Sequence, residues 1–176
     1  YNRQIFQKLG VENRRQAAKR AAALGLFNTR KPAEAVVHNL PAVLTPFVGR
    51  IEEQEDIGRL LGEAQPRLLT LLGPGGMGKT RLALAVSLPA LTQFSGGVCF
   101  VSLAPLTSPD QLVTAIGEAV GCPSFMDDRA PLKRLCDYLR QKYVLLVLDN
   151  FDHLLDGTRV VTAILQAAPH VRMIAT

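Results

Sequence analysis

The sequence predicts an α/β fold built on a parallel sheet, and three observations carry that prediction. From residue 67 to the end, short apolar segments of strand length alternate with longer segments of helical period. A glycine-rich loop stands between one such strand and the helix after it. The composition is aliphatic: 48% of the 176 residues are hydrophobic, but only 6% are aromatic and none is Trp. Strands that alternate with helices imply parallel pairing with helices on both faces, because a parallel neighbour is reached only through a crossover.

Taken in order, residues 1–9 and 14–24 read as two helices, with Ile5, Phe6 and Leu9 sharing a face in the first and Ala17, Ala21 and Leu24 in the second. Gly10 and Gly25 stop them, and Asn13 is placed to cap the second. Residues 28–45 read as a linker, carrying Pro32 and Pro41 and no sustained period. Residues 50–62 form an acidic amphipathic helix with Ile51, Ile57, Leu60 and Leu61 toward a core. The first strand spans 67–72. The glycine loop follows at 73–78, then a helix from Lys79 that Pro89 should kink or shorten. A second strand spans 97–103. Ser108-Pro109-Asp110-Gln111 is a helix start, with Ser at the cap, Pro in the first turn and Gln three residues after the cap. That helix runs to Gly121, and another spans 131–141. The third strand, 143–148, is continuously apolar and ends in Asp149. A helix at 157–168 and a strand at 171–176 complete the chain.

The chemistry concentrates in two of these segments. Gly73-Pro74-Gly75-Gly76-Met77-Gly78-Lys79-Thr80 fits the phosphate-loop pattern throughout. Its glycines let successive backbone N–H groups converge on one anion, and the helix it opens adds unpaired N–H donors and partial positive charge. Lys79 is expected to reach the β and γ phosphates, and the Thr80 hydroxyl to ligate Mg²⁺. Gly73, Gly75, Gly76, Met77, Gly78, Lys79, Thr80 and Arg81 are thus the expected nucleotide contacts in this stretch. Val144-Leu145-Leu146-Val147-Leu148-Asp149 is a buried strand that delivers a carboxylate at its carboxyl end, where ligands bind in open α/β sheets. Asp149 is the expected second Mg²⁺ residue and, with Asp152, a candidate catalytic residue. Asp152 either orients the attacking water or caps the next helix. His38, His153 and His170 have no nucleophile beside them and read as structural or surface residues.

Charge and cysteine usage bound the setting. Residues 1–32 hold eight Lys or Arg against one acid, Glu12, although the whole chain is only +5. The positive charge therefore belongs to the N-terminal segment, which suits a polyanionic partner or a solvated helix face. Cys99, Cys122 and Cys136 lack metal-ligand spacing and are odd in number, which fits free thiols in a reducing, cytoplasmic setting. No signal peptide or spanning apolar stretch is present, so no membrane partner is expected. The chain opens on Tyr1 and stops inside an apolar run, which reads as a piece of a longer protein.

Four ordered motifs carry a family resemblance over residues 41–176: Pro46-Phe47-Val48-Gly49-Arg50, the phosphate loop, Leu148-Asp149-Asn150-Phe151-Asp152, and Met173-Ile174-Ala175-Thr176. Together they resemble the NTPase domain of the STAND signalling ATPases, which include the NB-ARC group and bacterial ATPase-type transcriptional regulators. The resemblance implies a P-loop NTPase of the additional-strand type with strand order 2-3-4-1, the fifth strand lying beyond Thr176, and a truncated NTPase domain over 46–176. It also implies adenine contacts from Val48 and Arg50, ATP or ADP with Mg²⁺ as cofactors, and slow regulatory hydrolysis in the full-length protein. ADP would hold a closed form, and exchange for ATP would open it for homo-oligomer assembly. Asp152 stands where the family usually has Glu, a side chain one methylene longer.

Residues 1–27, with Ile5 to Ala17 and Leu24-Gly25-Leu26, resemble the C-terminal part of a LuxR-type helix-turn-helix. The base-reading half of its recognition helix would lie upstream of Tyr1, and Lys8 and Arg14 would touch phosphate. DNA is therefore an expected partner of the complete module. Two other readings share the same loop: a catalytic AAA+-like ATPase, and a module that binds ADP tightly without turnover.

Overall fold

The computed structural model describes residues 38–123 and 130–176. The two N-terminal helices, the helix-turn-helix resemblance and the first part of the linker lie outside the described residues. Nine main elements follow in order among the described residues. They are α1 (Ile51–Gly62), β1 (Leu68–Thr70), α2 (Lys79–Ala90), β2 (Val98–Ser102), α3 (Pro109–Ala119), α4 (Pro131–Leu139), β3 (Leu145–Asp149), α5 (Thr158–Ala167) and, last in the sheet, β4 (Arg172–Ala175). Two short 3₁₀ turns, Phe151–His153 and Leu155–Gly157, lie between β3 and α5.

The strands form one parallel sheet in the order β1-β4-β3-β2. Read from the other edge this is 2-3-4-1, the order implied by the resemblance. Its consequence is local: the last strand enters between the first and third. β4 thereby lies against β3 with Leu145 opposite Arg172, and against β1 with Leu68 opposite Met173.

The continuous apolar run of β3 is explained by burial on both faces, since Leu145 to Leu148 are all fully buried. Alternation divides it. Leu146 and Leu148 join Met173, Cys99 and Val101 beneath α3, α4 and α5. Leu145 and Val147 join Ile174, Val98 and the inner face of α1 and α2. β1 is different: Leu68 and Thr70 are exposed, while Leu69 packs toward α1 and α2. On the α5 side an apolar hollow of about 590 Å³ therefore opens beside β1, between Leu68, Leu71, Leu72, Phe151 and Val161.

α2 is buried on most sides, with Leu82, Ala83, Val86, Ser87 and Ala90 inside. The buried Ser87 hydroxyl is satisfied by donating to the Ala83 carbonyl at 2.6 Å. Pro89 cannot donate to the ladder, and the helix ends one residue later. At the start of α3, the Gln111 carbonyl oxygen accepts from the backbone N–H of Ser108 at 3.2 Å and of Thr107 at 2.7 Å, as the Ser108 to Gln111 spacing foretold.

The described part of the linker is held to the sheet. His38 bridges in parallel to Val98, and Asn39 makes a two-way pair with the Phe100 backbone, accepting from its N–H at 2.6 Å and donating to its carbonyl at 2.8 Å. The free edge of β2 is thereby partly covered.

Candidate functional site

The site forms at the carboxyl end of the sheet because the ends of three strands meet there. β1 runs into the glycine loop, β3 ends at Asp149, and β4 brings Thr176 between them. Gly76 and Gly78 have φ of +80° and +77°, a region that costs a side-chain-bearing residue stability. A Cβ added at Gly75, Gly76 or Gly78 would meet no protein atom within 4 Å. Crowding by protein atoms therefore does not explain these glycines, and the loop has room for a group that the protein does not supply. Lys79 folds back over it, donating to the carbonyls of Gly73 at 2.8 Å and Pro74 at 3.2 Å. Its ammonium thus sits at the mouth of the loop, held by two neutral acceptors.

Next to the loop is a hydroxyl–carboxylate node. Asp149 Oδ1 accepts from the Thr80 hydroxyl at 2.5 Å and from the Thr176 hydroxyl at 2.8 Å. The Thr176 oxygen in turn accepts from the Asn150 N–H at 3.0 Å. The backbone repeats the tie, with Thr176 N–H donating to Leu148 O at 3.0 Å and Phe151 N–H to Thr176 O at 2.7 Å. Asn150, at φ +65°, takes the left-handed turn that lifts the chain off the strand. The donor set of Thr80 and Asp149 is all oxygen with one carboxylate, the chemistry that suits Mg²⁺. Thr176 and Asn150 were not among the residues singled out from sequence. Their role depends on β4 lying next to β3, and only the quoted terminal motif pointed toward it.

The remaining candidates divide into those near the loop and those turned away. Arg50, also left-handed at φ +55°, donates to Met77 O at 3.4 Å and pairs with Glu53 at 3.0 Å. That guanidinium holds the Glu53 carboxyl below its ordinary value. Arg50, Glu53, Ile57, Leu71 and Lys79 line a second hollow of about 260 Å³ on the α1 side of the loop. Val48 and Met77 are exposed near this end, without hydrogen-bonded side chains. The Arg81 side chain is turned from the phosphate loop. Its Nη2 donates to Thr45 Oγ1 at 2.8 Å, Thr45 O at 3.0 Å and Pro46 O at 3.2 Å, and its guanidinium lies 6.0 Å from the Phe47 ring centre. Arg81 thus pins the segment that leads into Val48 and Arg50. Asp152 lies in the first 3₁₀ turn, largely exposed, 3.9 Å from His153 Nδ1. It lines the larger hollow, as do Lys79 and Thr176. His153 is a structural residue: its ring joins Asn150 Nδ2 at 3.2 Å to Leu106 O at 3.1 Å.

All three thiols are free. Burial pushes Cys99 up to about 11. None of the described helices is long and apolar enough to cross a membrane.

Comparison with known proteins agrees with this geometry. Among solved structures, the chain matches Cdc6p of Pyrobaculum aerophilum with a TM-score of 0.59 at 20% identity, over 77% of this chain and 40% of that one. It matches the ORC2 protein of Aeropyrum pernix, solved as ADPNP–ADP complexes, with a TM-score of 0.52 at 19% identity, over 77% and 43%. At these identities the likeness is one of fold. Among curated sequences, a Mycobacterium tuberculosis protein provisionally named an HTH-type transcriptional regulator is 39% identical over 64% of this chain. Regulatory protein AfsR of Streptomyces griseus is 31% identical over 68% of it. The chain spans 13% of the length of each. An uncharacterized M. tuberculosis protein is 35% identical over 81% of this chain and 36% of its own length. The family model for the AAA domain matches residues 63–173, a span running from the end of α1 into β4, and this chain belongs to that family.

Proposed function

We propose that this chain is the ATP/ADP-binding switch domain of a cytoplasmic signalling ATPase that acts as a transcriptional regulator, of the STAND and NB-ARC kind. The observation that carries the reading is the node at which one carboxylate oxygen, on Asp149, joins the helix after the phosphate loop to the end of β4. In this reading the backbone N–H groups of Gly73 to Thr80 bind the phosphates, and Lys79 leaves its carbonyl acceptors to neutralise them. Thr80 and Asp149 hold Mg²⁺, which when bound supplies charge neutralisation across the phosphates. Val48, Arg50 and the hollow beside Glu53 and Ile57 receive the base. Arg81 contributes by fixing the Thr45–Phe47 approach, with only its backbone near the phosphates.

Switching follows from what the node connects. Any change in the carboxylate's partners reaches Asn150, and hence the turn that carries Asp152, through the Thr176 hydroxyl. Two nucleotides with different contacts at this node would favour different positions of that turn. DNA binding is assigned to the LuxR-like N-terminal module when complete, in keeping with the names of the relatives, and assembly into a homo-oligomer to the ATP form. Slow hydrolysis belongs to the whole protein. A second reading, tight ADP binding without turnover, is favoured by one observation: Asp152 is largely exposed, and its one ion-pair neighbour among the described residues is His153, at 3.9 Å.

Hydrogen exchange of the chain with Mg-ADP and with Mg-ATP tests the proposal. The expected result is protection of 73–80 by both nucleotides, with 149–153 differing between them. Equal protection of 149–153 would remove the switch and leave the binding module.

A further inference from the structure

The amino end of the sheet, opposite the phosphate loop, carries a feature the nucleotide reading does not use. Arg67 immediately precedes β1, and Arg172 opens β4. Parallel pairing in register, with Leu68 opposite Met173, places the two side by side on one face. Each guanidinium donates only to a backbone carbonyl, Arg67 to Ala168 at 3.2 Å and Arg172 to Pro66 at 3.1 Å, and neither meets a carboxylate among the described residues. Burial, then the Arg67 charge, lowers Arg172 from its ordinary value, so the pair is a standing repulsion.

On the same edge, just before β3 and β4, Tyr143 and His170 stack with ring centres 4.1 Å apart and planes 14° apart. Both residues are exposed, Tyr143 to 48%. Lys142 adds a further cation over Tyr138, 4.4 Å from its ring centre. Arg140 has its own acid, Asp137, at 2.9 Å.

Two planar cations with no acid partner among the described residues match phosphate oxygens, which accept the guanidinium fork in pairs. An exposed aromatic stack beside them offers a face to a base, and combined cation and stacking contacts mark single-stranded nucleic acid rather than an acidic peptide. We propose that this edge binds a single strand of nucleic acid, with its phosphates on Arg67 and Arg172 and a base on the Tyr143–His170 stack.

The test is anisotropy of a labelled single-stranded oligonucleotide titrated with this chain over a range of salt. The chain would be compared with Arg67→Ala/Arg172→Ala, Arg67→Lys/Arg172→Lys and Tyr143→Ala. The basic residues of 1–32 are common to all four proteins, so differences report this edge. Loss of two phosphate contacts should lower the slope of log affinity against log salt by about 1.4. The lysine pair should keep the slope, and Tyr143→Ala should bind about tenfold more weakly at unchanged slope. Melting curves establish that each variant is folded; should the alanine pair fail to fold, Tyr143→Ala and the lysine pair decide. Three results would overturn the proposal: an unchanged slope in a folded alanine pair, no effect of Tyr143→Ala, or polyglutamate competing as strongly as the oligonucleotide.

Discussion

Replacing Thr176 by Val tests whether the node at Asp149 is structural as well as chemical. Val has nearly the shape of Thr, so no cavity opens and the loss is polar. Two hydrogen bonds disappear: the one donated to Asp149 Oδ1 at 2.8 Å and the one accepted from Asn150 N–H at 3.0 Å. A bond to a charged group contributes roughly 1.5–3 kcal/mol, and a neutral one about 1 kcal/mol. Asp149 keeps its shorter bond from Thr80, so the first loss lies toward the low end. The Asn150 N–H stands at a partly solvated turn, where water recovers some of the second. A destabilisation of about 2 kcal/mol results, which for a chain of this size lowers Tm by roughly 4–8 °C. Urea unfolding is the assay, with an unchanged m-value required so that the midpoint shift reports the native state. Thr176→Ser retains the hydroxyl and should lose under about 1 kcal/mol. If Val were within about 0.5 kcal/mol of wild type, the hydroxyl would not couple β4 to the turn, and the proposed switching route would fail.

Three further outcomes follow from other parts of the molecule. Gly96→Ala should cost about 1–3 kcal/mol by overpacking, because its Cβ would fall 2.8 Å from Val144 Cγ2 and 3.0 Å from the Tyr143 carbonyl oxygen; Gly75→Ala, with nothing in reach, is the matched control in the same melts. Arg81→Ala should leave global stability nearly unchanged while amide exchange over 44–48 accelerates, since its three bonds and the Phe47 ring contact help tie Thr45, Pro46 and Phe47 to α2. Cys99 is raised from 9.0 to about 11 by burial, so the unfolded chain releases this proton first. Its contribution to stability is therefore complete below pH 9 and is lost as pH rises from about 9 through about 11, a decline that Cys99→Ala should lessen in melts across that range.

The parts of this fold that were legible in sequence are those encoded locally. β3 showed as a continuous apolar run because both its faces are buried, and α3 announced its start through Ser108 and Gln111. The glycine loop was readable because backbone curvature and phosphate chemistry require the same residues in one stretch. What periodicity could not supply was neighbourhood. Nothing within 171–176 says that this strand enters between β1 and β3, and the order came from family resemblance. The partnership of Thr176 with Asp149 depends on that order. Arg81 was assigned to the nucleotide by its position beside Thr80, yet its side chain reaches a segment some 35 residues earlier in the chain. Residues 38 and 39 read as linker because a single bridge and one Asn side chain leave no periodic trace. The 3₁₀ turns after Asn150 leave a similarly weak trace: each is closed by a single local bond, Leu154 N–H to Phe151 O and Gly157 N–H to Leu154 O, and the first also depends on the distant bond from Phe151 N–H to Thr176 O.

Every step of the proposed switch requires that the loop from Gly73 to Thr80 bind a nucleotide through Lys79. Thermal melts of the chain with and without Mg-ADP and Mg-ATP, alongside Lys79→Ala, test it most directly. At about 100 times its dissociation constant, a ligand of the native state adds roughly 2.7 kcal/mol, which raises Tm by about 5–11 °C. That rise is expected in wild type, and a much smaller one in the variant at the same nucleotide concentration. A cooperatively melting wild type that neither nucleotide stabilises, or an equal rise with and without the Lys79 ammonium, would contradict it.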